Sequence, residues 1–363
     1  MPLKVHKDIA SLVPYAPGKP MEELERELGI AGAVKLASNE NPRGPSPKAR
    51  AVLSEAAHTL NRYPDGGGHR LRGALAERWK VTPDHVILGN GSDEIIGLLV
   101  RAFLSPGDAA VMADQTFPIY KMEVRAAHSE AVEVPLKNWR HDLPAMAEAV
   151  TARTRLLFLC NPNNPTGTIV SAAEVDALMA RIPEQVIVVF DEAYCEYVRT
   201  RDFPDSLGFV KQNRHVIVLR TFSKIYGLPG LRIGYGVTTP EITGYLNRVR
   251  PPFNVNSLAQ RAALAALEDE EHVALSRAMN QAEMATVRAE LGALDLHPVP
   301  SDANFLFFDV GRDGREVFEA LLREGVIVRH IAGRMLRVSI GLPEENKRFL
   351  QGLKKVLAPS IVK

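Results

Sequence analysis

The stretch Val216–Gly236, VIVLRTFSKIYGLPGLRIGYG, decides the fold and places one lysine at a strand end. It begins with an apolar, β-branched run that predicts a buried strand. A polar turn with Lys224 follows, and then a Gly/Pro-punctuated loop leads into a second short strand. Ligands of open α/β sheets bind at the carboxyl ends of the strands, so we expect Lys224 at a ligand-binding edge. A partly desolvated lysine beside another cation has a lowered pKa and attacks carbonyl groups, although a solvated loop lysine is the ordinary alternative.

The side chains around Lys224 suit an anionic ligand. Thr221 and Ser223 place hydroxyl groups beside it, and Arg232 offers a guanidinium fork that can bind a phosphate. A Ser-Lys pair before glycine and proline is also common in loops. The motif therefore needs support from the rest of the chain.

Composition bounds the classes of protein to consider. The chain has 363 residues, 46% hydrophobic and 24% charged, which predicts a large core and two domains. A formal net charge of +1 argues against a nucleic-acid partner. Cys160 and Cys195 are too few for a disulfide framework and lack metal-ligand spacing, so we expect no metal site. The sequence has neither a signal-peptide pattern nor an apolar run of membrane-spanning length, so we expect a cytoplasmic protein without a membrane partner.

Short apolar runs alternate with helical stretches from Val86 onward. The runs are VILG, AAVMA, AVEVPL, RLLFLC, VIVVF, VIVLR and RIGYGV. Helical segments such as SDEIIGLLVRAFL and SAAEVDALMARI separate them. This rhythm predicts an α/β fold with a mostly parallel, seven-stranded sheet flanked by helices.

The pattern also predicts three segments along the chain. Residues 1–44 form an N-terminal arm and part of a small domain, residues 45–256 form a large domain, and residues 257–363 form the rest of a small α+β domain. The last segment begins with a helical region from about Leu258 to Leu294. The strands ANFLFFDV, VIVRH and MLRVSIG and a terminal helix follow.

Other strand ends also present polar groups. VILGNGSDE breaks at Gly91 and opens a helix at Ser92 and Asp93, where free N–H groups and the helix dipole favour an anion, although an ordinary N-cap has the same residues. CNPNNPTG forms a rigid turn that holds Asn164, or merely a tight loop. VIVVFDEAY ends a buried strand at Asp191, which suits either a protonated ligand nitrogen or a buried salt bridge.

Two arginines near the C-terminus complete the set of candidate residues. Arg329 and Arg337 lie on consecutive strand candidates, so two guanidinium groups on neighbouring strands could bind an acidic substrate. Surface arginines are the commoner explanation of such a pair.

The ordered set GNGSDE, NPNNPTG, DEAY and TFSKIYGLPGLRIG resembles the fold-type I, pyridoxal-phosphate-dependent aminotransferases of class II. LASNENPRGPSP, RYPDGGGHRLRGALA, TFPIYKM, RPPFNVNSLAQ and LRVSIG further resemble the histidinol-phosphate aminotransferase subfamily, so the likeness runs over nearly the whole chain. It implies a homodimer that uses pyridoxal 5'-phosphate. The implied reaction, in histidine biosynthesis, is transamination of L-histidinol phosphate with 2-oxoglutarate, which gives imidazole acetol phosphate and L-glutamate.

The resemblance also implies a role for each matching residue. Lys224 would hold the cofactor as a Schiff base and move a proton, and Asp191 would keep the pyridine nitrogen protonated. Asn164 and Tyr194 would bind the phenolic oxygen. The other implied cofactor-binding residues would stack on the ring or hold the phosphate: Phe117, Gly91, Ser92, Asp93, Thr221, Ser223, Arg232 and, from the partner subunit, Tyr63. The implied substrate-binding residues are Tyr15, Asn39, Arg329 and Arg337, with no individual role for Asn39.

One departure from the family and several alternatives remain open. HIAGRML, between Arg329 and Arg337, is shorter than the family's usual glycine-rich loop, so Arg334 is an alternative substrate ligand. Aminotransferases for aromatic or other amino acids and threonine-phosphate decarboxylases resemble the same pattern and share the lysine and aspartate. A non-catalytic regulator with this fold would carry a DNA-binding domain ahead of it, and we expect too few residues before the first domain to hold one.

Overall fold

The computed structural model describes residues 3–358, which contain two sets of regular elements. The strands are β1 Val34–Lys35, β2 Val86–Gly89, β3 Ala109–Ala113, β4 Glu130–Val134, β5 Thr154–Cys160, β6 Ile187–Asp191, β7 Val216–Thr221, β8 Gly234–Thr238, β9 Phe305–Asp309, β10 Val326–Ile327, β11 Arg329–Ala332 and β12 Met335–Ser339. The α-helices are α1 Lys7–Ala10, α2 Met21–Leu28, α3 Pro47–Ala56, α4 His69–Trp79, α5 Ser92–Phe103, α6 Ile119–Ala126, α7 Leu143–Glu148, α8 Ala172–Met179, α9 Ser206–Lys211, α10 Pro240–Val249, α11 Ser257–Leu267, α12 Glu270–Gly292, α13 Gly314–Arg323 and α14 Pro343–Leu357.

The central sheet has seven strands in the order β2-β8-β7-β6-β5-β3-β4. β8 is antiparallel to both of its neighbours, and the other pairings are parallel. Successive residues of β7 belong to different cores: Val216 and Val218 pack in one apolar cluster, whereas Ile217 and Leu219 pack in another. Because helices cover both faces, the strands read as continuous apolar runs. The predicted α/β class with a mostly parallel, seven-stranded sheet is therefore confirmed.

Two smaller sheets involve the C-terminal part of the chain. β9, β12 and β11 form an antiparallel sheet, and β1 pairs in parallel with β10. The N-terminal segment thus contributes a strand beside the C-terminal elements. α11, which follows the predicted boundary at residues 256 and 257, packs against α3. The boundaries of the three predicted segments stay a prediction.

The structure corrects two details of the sequence-based elements. The helical region from Leu258 to Leu294 consists of two helices, because the Asp269 side chain accepts the N–H of His272 and caps α12 at its first turn. VIVRH does not form one strand, since its first residues pair with β1 and its last residues pair with β12. None of the helices in the described part of the chain combines the length and apolar character that a membrane span requires.

Candidate active site

A cavity of about 290 Å³ lies where the central strands β5, β6 and β7 end. Residues from these three strand ends line it together with residues from the start of α5 and from the N- and C-terminal parts of the chain. Most of the predicted site residues are among its described lining: Tyr15, Asn39, Ser92, Asp93, Phe117, Asn164, Asp191, Tyr194, Thr221, Ser223, Lys224, Arg232 and Arg337. The fold therefore brings together groups that are more than 300 residues apart in sequence, as Tyr15 and Arg337 are.

Lys224 lies in the turn after β7, and its side chain is enclosed by the cavity walls. Its Nζ donates a hydrogen bond to the carbonyl oxygen of Ser38 at 3.1 Å and lies 5.6 Å from the ring centroid of Tyr194. Burial lowers the pKa of Lys224 to about 8, and the positive charge of Arg337 contributes in the same direction. A larger fraction of this amine is neutral near pH 7 than for an exposed lysine, as a nucleophile requires.

Asp191 is the last residue of β6 and is 4% exposed. Its Oδ2 accepts a hydrogen bond from the hydroxyl of Tyr120, and its Oδ1 accepts the N–H of Ala193 at 3.2 Å. Burial raises the pKa of Asp191 to about 6, although both hydrogen bonds favour the ionised form. The carboxylate is thus held in a fixed orientation at a position where a protonated ligand nitrogen would offset its desolvation.

A buried hydrogen-bond network fixes Tyr194 opposite these groups. The side-chain amide of Asn39 donates to the Tyr194 hydroxyl at 2.9 Å. Asn39 is itself held, because its backbone N–H donates to Oγ of Ser339 at 2.8 Å and its carbonyl accepts the amide of Asn304 at 3.0 Å. Asn39, for which the sequence implied no individual role, therefore orients Tyr194 toward the cavity.

Arg337 connects the substrate-binding and cofactor-binding candidates. One of its terminal nitrogens, Nη1, donates to Oδ1 of Asn164, and the other, Nη2, donates to the carbonyl oxygen of Ala37. The residue is 8% exposed, and its Nε has no partner among the described residues. A buried guanidinium that lines a cavity is costly to desolvate, and an anionic ligand in that cavity would offset the cost.

The start of α5 forms a second polar corner of the cavity. Arg232, with Nη2 at 3.0 Å from Oδ2 of Asp93, lies over this helix start. Gly91 precedes the helix with a φ of 84°, and a Cβ at that position would lie 2.3 Å from Nη2 of Arg232. The positive φ favours glycine at this position, and the missing Cβ leaves room for the guanidinium. Thr221 accepts the N–H of Ser223 at 3.0 Å, so both hydroxyl groups stay near the same corner, which suits a phosphate.

The remaining predicted residues lie outside the described cavity lining. Arg329 pairs in register with Arg337, as expected for neighbouring strands, but its Nη1 donates to the carbonyl of Ala16 at 2.6 Å and its guanidinium lies 5.4 Å from the Tyr15 ring centroid. Arg334 forms a bidentate, exposed ion pair with Asp309. This pairing does not favour Arg334 as the alternative substrate ligand.

Tyr63, the predicted residue from the partner subunit, lies on the protein surface. It is 82% exposed, and its ring stacks on Phe253 with centroids 4.7 Å apart. It does not line the cavity of its own chain. The position leaves its hydroxyl accessible to another molecule.

Sequence reasoning missed Tyr120 and Ser38, which contact the two central charged groups. Tyr120 lies three residues after Phe117 near the start of α6, and the two rings meet edge to face with centroids 5.6 Å apart. A tyrosine in an amphipathic helix has no sequence signal that separates a core position from a contact with Asp191. Ser38 acts through its backbone carbonyl, for which residue type carries no information.

Comparison with known proteins agrees with this geometry. Residues 31–353 match the family described as aminotransferase class I and II. The chain belongs to this family. The match covers the cavity-forming strands and most of the polar residues around them, so the sequence-based assignment to the aminotransferases and to their fold type is confirmed.

Individual relatives of this aminotransferase narrow the comparison. It is 51% identical over 360 residues to a histidinol-phosphate aminotransferase of Moorella thermoacetica, covering 98% of this chain and 93% of the relative. It is 51% identical to histidinol-phosphate aminotransferase 2 of Pseudomonas fluorescens, covering 96% of each chain. Its fold is similar to the crystal structure of histidinol-phosphate aminotransferase from Sinorhizobium meliloti in complex with pyridoxal-5'-phosphate, at a TM-score of 0.90, 30% identity and 97% coverage of both chains.

Proposed function

We propose that this protein transfers the amino group of L-histidinol phosphate to 2-oxoglutarate with pyridoxal 5'-phosphate as its cofactor, and so serves histidine biosynthesis. The names of its relatives support this substrate. The observation that carries the proposal is one cavity lined by a half-buried lysine of lowered pKa, a buried aspartate and a buried arginine: Lys224, Asp191 and Arg337.

The described residues fit pyridoxal phosphate by the chemistry of their donor groups. When bound, the cofactor supplies an electron-withdrawing ring that stabilises negative charge at the substrate Cα. Nζ of Lys224 is the amine for its aldehyde, and the Asp191 carboxylate matches its ring nitrogen. The other groups with matching chemistry are the aromatic ring of Phe117, the polar tips of Asn164 and Tyr194, and, for the phosphate, Gly91, Ser92, Asp93, Thr221, Ser223 and Arg232.

In this proposal the protein's own groups divide the proton chemistry between two atoms. Nζ of Lys224 would take the proton from the substrate Cα and donate it to the carbon that carried the cofactor's aldehyde, since a pKa of about 8 lets the amine act both as base and as acid near neutral pH. The carboxylate of Asp191 would keep the cofactor ring nitrogen protonated, because a negative charge in a buried setting strongly favours a cation beside it. Tyr194, oriented by Asn39, holds its hydroxyl toward the same space.

The arginines account for an acidic substrate. Arg337 offers a buried guanidinium, and the adjacent Arg329 is held against Tyr15 and the backbone of the N-terminal segment. A phosphate monoester dianion gains more from guanidinium forks than a carboxylate does. The same groups would receive the distal carboxylate of 2-oxoglutarate in the second half-reaction.

We also infer that the protein acts as a cytoplasmic homodimer. Exposed apolar side chains surround Tyr63, and Leu60 and Phe253 lie in the same surface depression. Burying this patch against a second copy would remove apolar area from water and bring Tyr63 to the partner's phosphate-binding corner. Both cysteines are free, as is usual in a reducing compartment.

A half-reaction screen tests the substrate. Purified enzyme is mixed in turn with histidinol phosphate, phenylalanine, aspartate and threonine phosphate, and the cofactor absorbance is followed. We expect the fastest conversion with histidinol phosphate, and a much slower one with unphosphorylated histidinol because the phosphate contacts are lost. A higher kcat/KM for phenylalanine or aspartate would contradict the proposal, as would release of CO₂ from threonine phosphate.

A further inference from the structure

Three side chains outside the cavity converge where the N-terminal segment meets the end of α6. His6 and Asp8 belong to the N-terminal segment, and His128 follows α6. Nδ1 of His6 and Nδ1 of His128 each lie 3.3 Å from the same atom, Oδ2 of Asp8. One ligand atom from each of the three residues lies within 4.8 Å of the others. Two imidazoles and a carboxylate therefore surround one point.

Two of the three distances among these atoms match the edge of a coordination tetrahedron. Zinc bonds to histidine nitrogen and carboxylate oxygen are about 2.0–2.2 Å long, so two ligand atoms at the tetrahedral angle lie about 3.3 Å apart. Both N···O distances to Asp8 have this value. A charge-assisted N–H···O hydrogen bond is shorter, at about 2.7–2.9 Å. The two distances to Asp8 therefore match a shared ion better than they match two direct ion pairs.

Existing contacts hold both histidines beside Asp8. Nδ1 of His6 accepts the backbone N–H of Asp8 at 3.3 Å, and an ion bound at this nitrogen would replace that hydrogen bond, because the nitrogen has one lone pair. His128 has a φ of 60° just after α6, and its backbone N–H donates to the carbonyl of Arg125 at 3.0 Å, so the helix end sets its direction. The two rings pack with centroids 3.7 Å apart. Two imidazoles that share one tetrahedral ion have centroids about 5 Å apart, so the rings would turn away from each other when the ion binds.

We propose that His6, Asp8 and His128 bind a divalent transition-metal ion of the Zn²⁺ class, with water in the fourth position. Imidazole and carboxylate ligands suit this class, and three protein ligands with one open position form a common zinc geometry. The ion would fasten the N-terminal segment to the end of α6. The same segment continues to Tyr15, which lines the cavity, so the ion would also help to hold that tyrosine in place.

Metal titration of the untagged holoenzyme tests the site without recourse to activity. After chelator treatment, Zn²⁺ binding is measured by calorimetry, and Co²⁺ is used as a spectroscopic probe. We expect one ion per chain and the strong visible bands of four-coordinate Co²⁺. His6→Ala, Asp8→Asn and His128→Gln should each weaken Zn²⁺ binding by at least about 10- to 100-fold, since loss of a ligand costs no less than loss of an outer-shell partner.

A second histidine-aspartate pair provides the matched control. His297 lies 3.2 Å from Asp295, and this exposed pair is not part of a cluster of three in the described chain. His297→Gln should leave metal binding unchanged. The proposal fails if wild-type protein binds Zn²⁺ no more tightly than the three ligand variants, if bound Co²⁺ has the weak spectrum of six-coordination, or if His297→Gln causes an equal loss.

Limited proteolysis supplies a second readout. Lys4 and Lys7 are exposed and flank His6, so trypsin cleaves there when the segment detaches. Saturating Zn²⁺ should slow cleavage at these two lysines by at least about tenfold in wild-type protein, by mass action on the attached state, and should not slow it in His128→Gln. Equal cleavage with and without Zn²⁺ in the wild type would contradict the proposed anchoring.

Discussion

Tyr120 donates its hydroxyl proton to Oδ2 of Asp191, so a residue of α6 holds the carboxylate at the end of β6. Its ring stacks on Phe158 of β5, with centroids 4.6 Å apart and planes 10° from parallel. The hydrogen bond favours the ionised carboxylate and opposes the burial that raises the pKa of Asp191. Tyr120 thereby acts as a positioning residue for the group that we assign to the cofactor ring nitrogen.

Replacing Tyr120 by phenylalanine tests this link. Without the hydrogen bond, the pKa of Asp191 should rise further above its value of about 6. As pH is lowered, the affinity of the cofactor-free protein for pyridoxal phosphate falls once Asp191 is protonated, because a protonated carboxyl cannot pair with a protonated ring nitrogen. In the variant this fall should begin about one pH unit higher than in the wild type. Fluorescence titration from pH 5 to 8 measures the shift.

Tyr235→Phe is the matched control for Tyr120→Phe. Tyr235 is equally buried, and its hydroxyl has no hydrogen-bond partner among the described residues. This variant should keep the wild-type pH profile. If both variants move the profile equally, the effect belongs to packing and the assigned link between Tyr120 and Asp191 is wrong.

The raised pKa of Asp191 predicts that the cofactor-free protein loses folding stability as pH rises. The folded pKa, about 6, exceeds the ordinary value of 3.8, so the folded state binds the proton more tightly and loses stability as pH rises through 6. Cofactor-free Asp191→Asn should exceed cofactor-free wild type in unfolding free energy by up to about 3 kcal/mol at pH 8, and by little at pH 4. Urea unfolding at the two pH values measures this difference in unfolding free energy.

The Asp191→Asn variant should also lose activity by about 100-fold or more. An unchanged turnover would leave Asp191 as a structural residue only.

Lys224 should capture the cofactor in a pH-dependent way. The neutral amine is the nucleophile, so the rate of pyridoxal phosphate uptake by the cofactor-free protein should rise with pH and level off above about 8. Arg337→Gln should move this midpoint upward, since it removes a positive charge that lowers the lysine pKa.

Borohydride reduction should label a peptide containing Lys224. The control is Lys35→Ala, which removes a lysine near the cavity that pairs with Glu40 and should leave the label intact. A label on a different lysine would overturn the assignment.

Arg337 should determine affinity for the phosphate group. Arg337→Lys keeps the charge but loses the fork that contacts Asn164 and Ala37, so KM for histidinol phosphate should rise by about tenfold or more. Arg329→Ala should have a smaller effect, because its guanidinium already donates to the Ala16 carbonyl. Arg334→Ala is the control, since that side chain pairs with Asp309 at the surface. Steady-state kinetics with both substrates distinguish the three. A larger effect of Arg334→Ala would reverse the assignment.

Tyr63 should act across a dimer interface. If each site combines Lys224 of one chain with Tyr63 of the other, mixing inactive Tyr63→Ala and Lys224→Ala proteins should create hybrid dimers with one intact site. Recovered activity, up to about a quarter of wild type for random exchange, would support sharing. A fully active monomer in sedimentation would exclude it.

Strand ends were predictable because their signals are local. Each apolar run of the sheet stops at a polar residue, glycine or proline, and parallel topology then brings those ends to one edge. Lys224, Asp191 and Asn164 follow from this rule. The contact between Tyr120 and Asp191 and the carbonyl of Ser38 do not, because packing between distant elements decides them. The same limit applies to His6, Asp8 and His128, since their separation in sequence hides a cluster that only the docking of α1 on α6 creates.

The reversed direction of β8 affects how insertions would be tolerated. Gly234, the first residue of β8, lies opposite Thr221 at the end of β7 and Gly89 at the end of β2. The chain therefore returns to the sheet without a crossover helix, and Lys224 and Arg232 occupy one short connection. Surface loops of α/β proteins usually accept added residues at small cost. An insertion in this connection would cost function, because added residues would separate the Lys224 amine from the Arg232 guanidinium that shares its cavity. Among homologous chains, we expect its length to vary less than the lengths of the helical crossovers.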